Sequence, residues 1–125
     1  MHIVAALFVE DFQLRQGAPT RLDLSGVFFS MQAPSPVPVV VTPHLVALIW
    51  CPPDEQGSGI FEVVFTKDDQ EVARNVSPFT VESGKFTYRL VRGELPFDDY
   101  GQVVARCRLD RGPWHLVPLT LLPPA

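Results

Sequence analysis

Short runs of Val, Leu, Ile and Phe recur along this chain, and clusters of Pro, Gly and paired acidic residues cut them apart. Residues 3–9 form an unbroken apolar run, as a strand buried on both faces does. Over residues 21–31, Leu22, Leu24 and Gly26 alternate with Arg21, Asp23 and Ser25, a period of two, and Gly26 predicts a bulge or a close backbone approach. Residues 45–51 are almost wholly apolar and predict a central strand. Residues 60–67 set Phe61, Val63 and Phe65 on one face against Glu62, Val64 and Thr66 on the other. A hairpin turn at Asp68-Asp69-Gln70 leads into residues 71–76, followed by a separate short strand at 79–81. Residues 85–91 turn Phe86, Tyr88 and Leu90 inward, which leaves Arg89 outward. Residues 102–109 turn Val103, Ala105, Cys107 and Leu109 inward, with Gln102, Arg106 and Arg108 outward, and residues 114–121 form the last strand.

The segments between these runs carry turn chemistry. A wide loop is expected over residues 10–20, with Gly17 and Pro19 in it. Residues 33–38 hold three prolines, which donate no ladder hydrogen bond, so they predict an extended crossover from one sheet to the other. Loops follow at 52–59 and 93–101, and a compact turn at 110–112. No stretch of ten residues has helical periodicity. About eight short strands with turn residues between them predict a single all-β domain over residues 1–125. The expected architecture is a two-sheet antiparallel β-sandwich with immunoglobulin-like or Greek-key connections. Tyr100 stands just before the penultimate strand, where a Tyr ties down the corner of many sandwiches.

Composition narrows the function more than the fold. The chain is 46% hydrophobic and 19% charged, which excludes a disordered class and leaves little charge to cover the surface. The net charge of −4 speaks against a nucleic-acid partner. The apolar run at 3–9 has no Lys or Arg before it, ends at Glu10-Asp11, and is too short for a membrane span, so neither export nor membrane insertion is expected. Cys51 and Cys107 sit in apolar strands and read as two buried, reduced thiols of a cytoplasmic protein.

Leu22-Asp23-Leu24-Ser25-Gly26-Val27-Phe28, the Pro-rich segment after it and residues 45–50, with residues 95–103 and Val117-Pro118-Leu119, resemble a family of short bacterial proteins known as a domain of unknown function. The resemblance covers nearly the whole chain and rests on structural motifs. The chain departs from that pattern at Ala18-Pro19-Thr20-Arg21, where Gly-Lys is usual. What the resemblance implies is a cytoplasmic β-sandwich, with no activity and no site residues.

The candidate chemistry is sparse. His2, His44 and His115 are not at metal-ligand spacing, and neither Ser25 nor Ser58 sits in a nucleophile elbow. No catalytic residue, metal ligand or cofactor is assigned, and the chain reads as a non-enzyme. The acidic pairs Glu10-Asp11, Asp54-Glu55, Asp68-Asp69 and Asp98-Asp99 all fall in expected turns. Alternating turns would gather Asp68-Asp69 with Asp98-Asp99 at one end, and Glu10-Asp11, Asp54-Glu55 and Asp110 at the other. Carboxylates converging from separate loops suit calcium, although Asp also populates turns because it bonds local backbone amides. Arg89, Arg106 and Arg108 form the other pattern. If residues 85–91 and 102–109 make a hairpin, the three share one outward face and offer a docking patch for an acidic protein segment, or else a solvated face balanced by Glu62 and Glu71. The expected function is therefore a protein-interaction or assembly module, working through a protein partner or as a homodimer. The alternatives are a small-ligand-binding or calcium-binding sandwich with convergent His44, His115 or Asp98, and a structural component of a phage or secretion apparatus.

Overall fold

The computed structural model describes residues 1–15 and 21–125. Its described residues are all-β, in eleven strands and without a helix, so no helix in them is long and apolar enough to cross a membrane. A four-stranded antiparallel sheet, sheet A, contains β1 (His2–Leu14), β2 (Leu22–Phe28), β5 (His44–Trp50) and β8 (Phe86–Arg92) in the order β2-β1-β5-β8. A five-stranded sheet, sheet B, contains β3 (Ser30–Gln32), β6 (Ser58–Lys67), β7 (Gln70–Thr80), β10 (Gly101–Leu109) and β11 (His115–Leu122) in the order β3-β11-β10-β6-β7. The short strands β4 (Val39–Val41) and β9 (Leu95–Phe97) pair with each other. The pair β3–β11 is parallel, and the other ladders are antiparallel.

One core joins the sheets. Sheet A contributes Ala6, Phe8, Leu45, Ala47, Ile49 and Val91, while sheet B contributes Phe61, Val63, Phe65, Val103, Ala105, Cys107, Val117, Leu119 and Leu121. Val41, Leu95 and Phe97 from the small ladder pack into the same cluster. Four phenylalanines, Phe8, Phe61, Phe65 and Phe97, are wholly buried, each stabilising by about 1.5–3 kcal/mol relative to exposure. On β6 and β10 the residues expected to face inward, Phe61, Val63 and Phe65 with Val103, Ala105 and Cys107, are in the core.

Several boundaries differ from expectation, each for a physical reason. The loop expected at 10–20 begins later, because β1 continues through Glu10-Asp11 to Leu14 and pairs with β2; Gly17 and Pro19 lie outside the described residues. The strand expected at 21–31 divides at Phe29, and its second part, β3, leaves sheet A to pair with β11. The chain thus reaches sheet B before the Pro-rich segment, which returns it to sheet A by way of β4. Residues 79–81 are no separate strand: β7 runs through Pro78 to Thr80, which proline permits because β7 is an edge strand. The expected loop at 93–101 contains β9. Short strands of three residues carry too little periodicity to be read from a sequence.

Two local features match. Asp68 and Asp69 both have positive φ, 51° and 61°, as a tight two-residue type I′ hairpin turn requires. The Tyr100 hydroxyl accepts a hydrogen bond from the Val37 N–H at 3.4 Å and ties the Pro-rich segment to the start of β10.

Candidate interaction surface

The largest departure from expectation concerns β8. It pairs with β5 in sheet A, and β10 pairs with β6 and β11 in sheet B, so residues 85–91 and 102–109 form no hairpin. Arg89 stands opposite Ala47, and Val91 opposite Leu45, both core positions. Phe86, Tyr88 and Leu90 therefore lie on the outer side, and Arg89 lies on the inner side at the sheet's edge. From there its Nη2 donates to the carbonyl of Pro78 on β7 at 2.9 Å. Arg89 thus reaches the edge of sheet B from the inner side and shares no face with Arg106 and Arg108.

Arg106 and Arg108 do share a face, the outer side of sheet B. The ladder aligns Arg108 with Glu62 and Val76, and Arg106 with Val64 and Arg74. Leu116 on β11 stands opposite Arg106. Glu62 is only 8% exposed and anchors the face. Its Oε1 accepts from Arg108 Nε at 2.6 Å, and its Oε2 accepts from Arg74 Nη1. Arg108 also lies over the Trp114 ring, 4.0 Å from its centroid. Arg106 donates to Thr66 Oγ1 at 3.3 Å and approaches Asp69 at 3.7 Å.

Arg74 makes a second, exposed pair: its Nη2 donates to Glu71 Oε1 at 2.7 Å. That bond holds the Glu71 carboxyl below the usual carboxylate range and raises Arg74 further. Val64 is buried although it is on the outer side, because the aliphatic stems of Arg74 and Arg106 flank it in the same row.

Beside this charged row the surface is apolar. Val76 and Leu116 are each 54% exposed, with Ile60 and Trp114 close behind. Ile60, Glu62, Val76, Arg108, Asp110 and Arg111 line a cleft of about 560 Å³. Of the cations on this face, Arg108 and Arg111 line the cleft, Arg74 is bonded to the Glu62 that lines it, and Arg106 stands in the next row of the ladder. The sequence reading found Arg106 and Arg108 but missed Arg74, Arg111, Val76 and Trp114, since only strand register brings them together.

The other expected constellations do not assemble. His44 lines a cleft of about 400 Å³ with Glu10, Phe28 and Met31, while His2 and His115 line another of about 450 Å³ with Met1 and Trp114. His2 stacks on Trp50 at the opposite end of β5 from His44, at 5.9 Å between ring centroids. Glu10-Asp11 lies in β1 rather than in a turn. Lys67 Nζ donates to the Asp99 carbonyl at 2.8 Å, so the Asp68-Asp69 and Asp98-Asp99 turns do lie at one end. Among the described residues no group of three or more His, Cys, Asp or Glu could hold a metal ion. Cys51 and Cys107 are both buried and unpaired, and burial pushes the Cys107 thiol up to about 12.

Compared with known proteins, the chain matches no family model and no curated protein sequence.

Proposed function

We propose that this chain is a non-enzymatic protein-interaction module, a β-sandwich of immunoglobulin-like topology that docks an acidic protein segment on the outer face of sheet B. The topology reading rests on strand order. With β5 and β8 adjacent in one sheet, and β11-β10-β6-β7 in the other, the arrangement matches B-E and G-F-C-C′ of an immunoglobulin fold, and the connections β5–β6 and β7–β8 both change sheet. The two unpaired, buried thiols support a reducing, cytoplasmic setting.

One observation carries the docking assignment: arginines held in place by a buried carboxylate stand beside exposed apolar side chains. Glu62 fixes two guanidiniums through its two oxygens, so those side chains have already lost rotamer freedom before a partner arrives. Arg108 spends only its Nε on Glu62, which leaves its two Nη groups for a partner, and Arg is the residue best suited to fork-to-fork recognition of a carboxylate. Val76, Leu116 and Trp114 supply the apolar anchor that charge alone lacks. The molecule is net acidic, yet Arg108 and Arg111 line this cleft, and Arg74 and Arg106 stand on the same sheet in the adjoining row.

The test is titration with fluorescent peptides in which Asp or Glu alternates with Leu or Phe, followed by fluorescence anisotropy. Saturable binding that weakens with salt, and falls by about tenfold or more in Arg106→Ala/Arg108→Ala, is the expected result. Arg89→Ala, on the other sheet, should leave it unchanged. Binding that ignores the Arg106/Arg108 change, or no binding by any such peptide, would overturn the assignment.

A further inference from the structure

We infer that β8 is a self-pairing edge, through which two copies of this chain join their A sheets into one continuous eight-stranded sheet about a two-fold axis at Tyr88. This interface is independent of the arginine face of sheet B. Cys51 N–H donates to the Lys85 carbonyl at 3.0 Å, and Gly93 N–H donates to the Pro43 carbonyl at 2.9 Å. These bonds continue the β5–β8 register at both ends. Antiparallel ladders alternate bonded and non-bonded pairs, so the odd-numbered residues of β8 bond to β5. The N–H and C=O groups of Phe86, Tyr88, Leu90 and Arg92 consequently point out of the sheet's edge. Among the described residues they have no backbone partner on that side.

Edge strands normally carry a guard against pairing. At the neighbouring edge of sheet B, β7 has Pro78, which removes a donor. At the far edge of sheet A, β2 is kinked by Gly26 at φ 67°. β8 has no proline and no register shift. No cation guards its centre either, since the exposed Arg92 stands only at the strand's last position. Lys85 is paired with Glu82 at 2.6 Å, and Arg89 is drawn inward to Pro78. What remains at the centre is Phe86, 53% exposed, with Tyr88 and Leu90 beside it.

Charge selects both the occupant and the register. A two-fold axis at Arg89 would set the two Arg89 side chains directly opposite each other, a destabilising like-charge pair. An axis at Tyr88 sets Tyr88 against Tyr88, Phe86 against Leu90 and Arg89 against Thr87, with no cation facing a cation. It also forms two backbone hydrogen bonds at the Tyr88 pair and two at each Phe86–Leu90 pair, about six in all. Such an edge contact lies at the small end of specific interfaces, so a micromolar dimer is expected.

The experiment uses the unmodified chain and Leu90→Pro. Because the Leu90 N–H points away from β5, proline there removes an intermolecular donor without breaking the internal ladder. Sedimentation should give a mass that doubles between about 1 and 100 μM for the unmodified chain, and a monomer throughout for Leu90→Pro with an unchanged circular-dichroism spectrum. Hydrogen exchange on the unmodified chain gives a second readout: the Tyr88 and Leu90 amides should slow by about tenfold or more over the same range. A monomer at every concentration, a dimer that persists in Leu90→Pro, or a dimer whose Tyr88 and Leu90 amides exchange freely would each overturn the inference. Should Leu90→Pro fail to fold, Leu90→Lys, which keeps every backbone donor and puts a cation at the centre of the edge, is judged by the same outcomes.

Discussion

Glu62 is the charged side chain that the described fold buries, and its two oxygens are occupied by guanidiniums from strands on either side. A buried carboxylate is tolerable while at least one cation remains, and costly when none does. Arg74→Ala or Arg108→Ala alone should therefore cost on the order of 1 kcal/mol, because each leaves Glu62 a partner. The double variant should cost about 3–5 kcal/mol. Urea unfolding of the four proteins in the cycle checks this, and additive losses would mean that Glu62 is hydrated rather than paired. Cys107 offers a prediction in pH. Its thiol ionises near pH 9 when free but only at about 12 in the fold. The folded state thus holds a proton that the unfolded state releases first, and the stabilisation present below pH 9 is lost as pH rises toward 12. Cys107→Ala should flatten the decline in stability over that range by up to about 1.4 kcal/mol per pH unit. A slope identical to that of the unmodified chain would show that the thiol ionises freely. Both roles were partly legible in the sequence. Alternation with Arg106 and Arg108 turned Cys107 inward beside Val103, Ala105 and Leu109, and Glu62 was identifiable as an outward charge. Its burial was not legible, because that depends on two arginines, twelve and forty-six residues away, which register alone brings to it.

At the level of the strand, β8 shows where alternation misleads. Phe86, Tyr88 and Leu90 are larger and more apolar than Thr87, Arg89 and Val91, so periodicity turned the former inward. The register with β5 turns them outward, opposite Trp50, Leu48 and Val46. That is tolerable because the outer side of sheet A is itself partly covered. Val9 and Val46 lie on that side and are each 1% exposed. Leu14, Arg21 and Leu22, from the distal part of the β1–β2 pair, line a cleft of about 210 Å³ together with Leu48, Phe86 and Tyr88. The outer end of the pair therefore bends back over the sheet. Gly26 supplies the bend: its φ is 67°, and a Cβ there would meet the Glu10 side chain at 2.6 Å. Gly26 was expected to be a bulge or a close approach; the β1–β2 register passes through it unshifted, and the close approach, to Glu10, is what the fold shows. The unbroken apolar run at 3–9 announced burial on both faces, but a run without a period does not say what covers the outer one. Gly26→Ala should cost about 1–2 kcal/mol from backbone conformation alone, lowering the thermal midpoint by on the order of 5 °C. Glu10→Ala in the same chain should recover only the steric part. Full recovery would place the whole penalty in the side-chain clash and none in the left-handed backbone.

At the scale of the molecule, the two proposed surfaces combine in a way that neither does alone. A two-fold axis perpendicular to a continuous A sheet keeps both copies' B sheets on the same side of it. The two arginine faces then look in one direction, so a dimer can engage two acidic segments on a single surface. Linked sites of this kind raise avidity by about 10²–10⁴ without any new contact. The unmodified chain and Leu90→Pro should therefore bind a soluble acidic–apolar peptide with equal affinity, since the sheet B face is the same in both. On a surface densely coated with that peptide, the unmodified chain should dissociate at least about a hundredfold more slowly. Diluting the immobilised peptide until neighbours are too far apart should remove the difference. Surface plasmon resonance at two coating densities measures all of this. Equal dissociation at high density, with a dimer established by sedimentation, would mean that the two faces diverge and that pairing at β8 serves stability rather than capture. Arg106→Ala/Arg108→Ala should lose binding at both densities while remaining dimeric, because the edge and the face belong to different sheets and share no side chain.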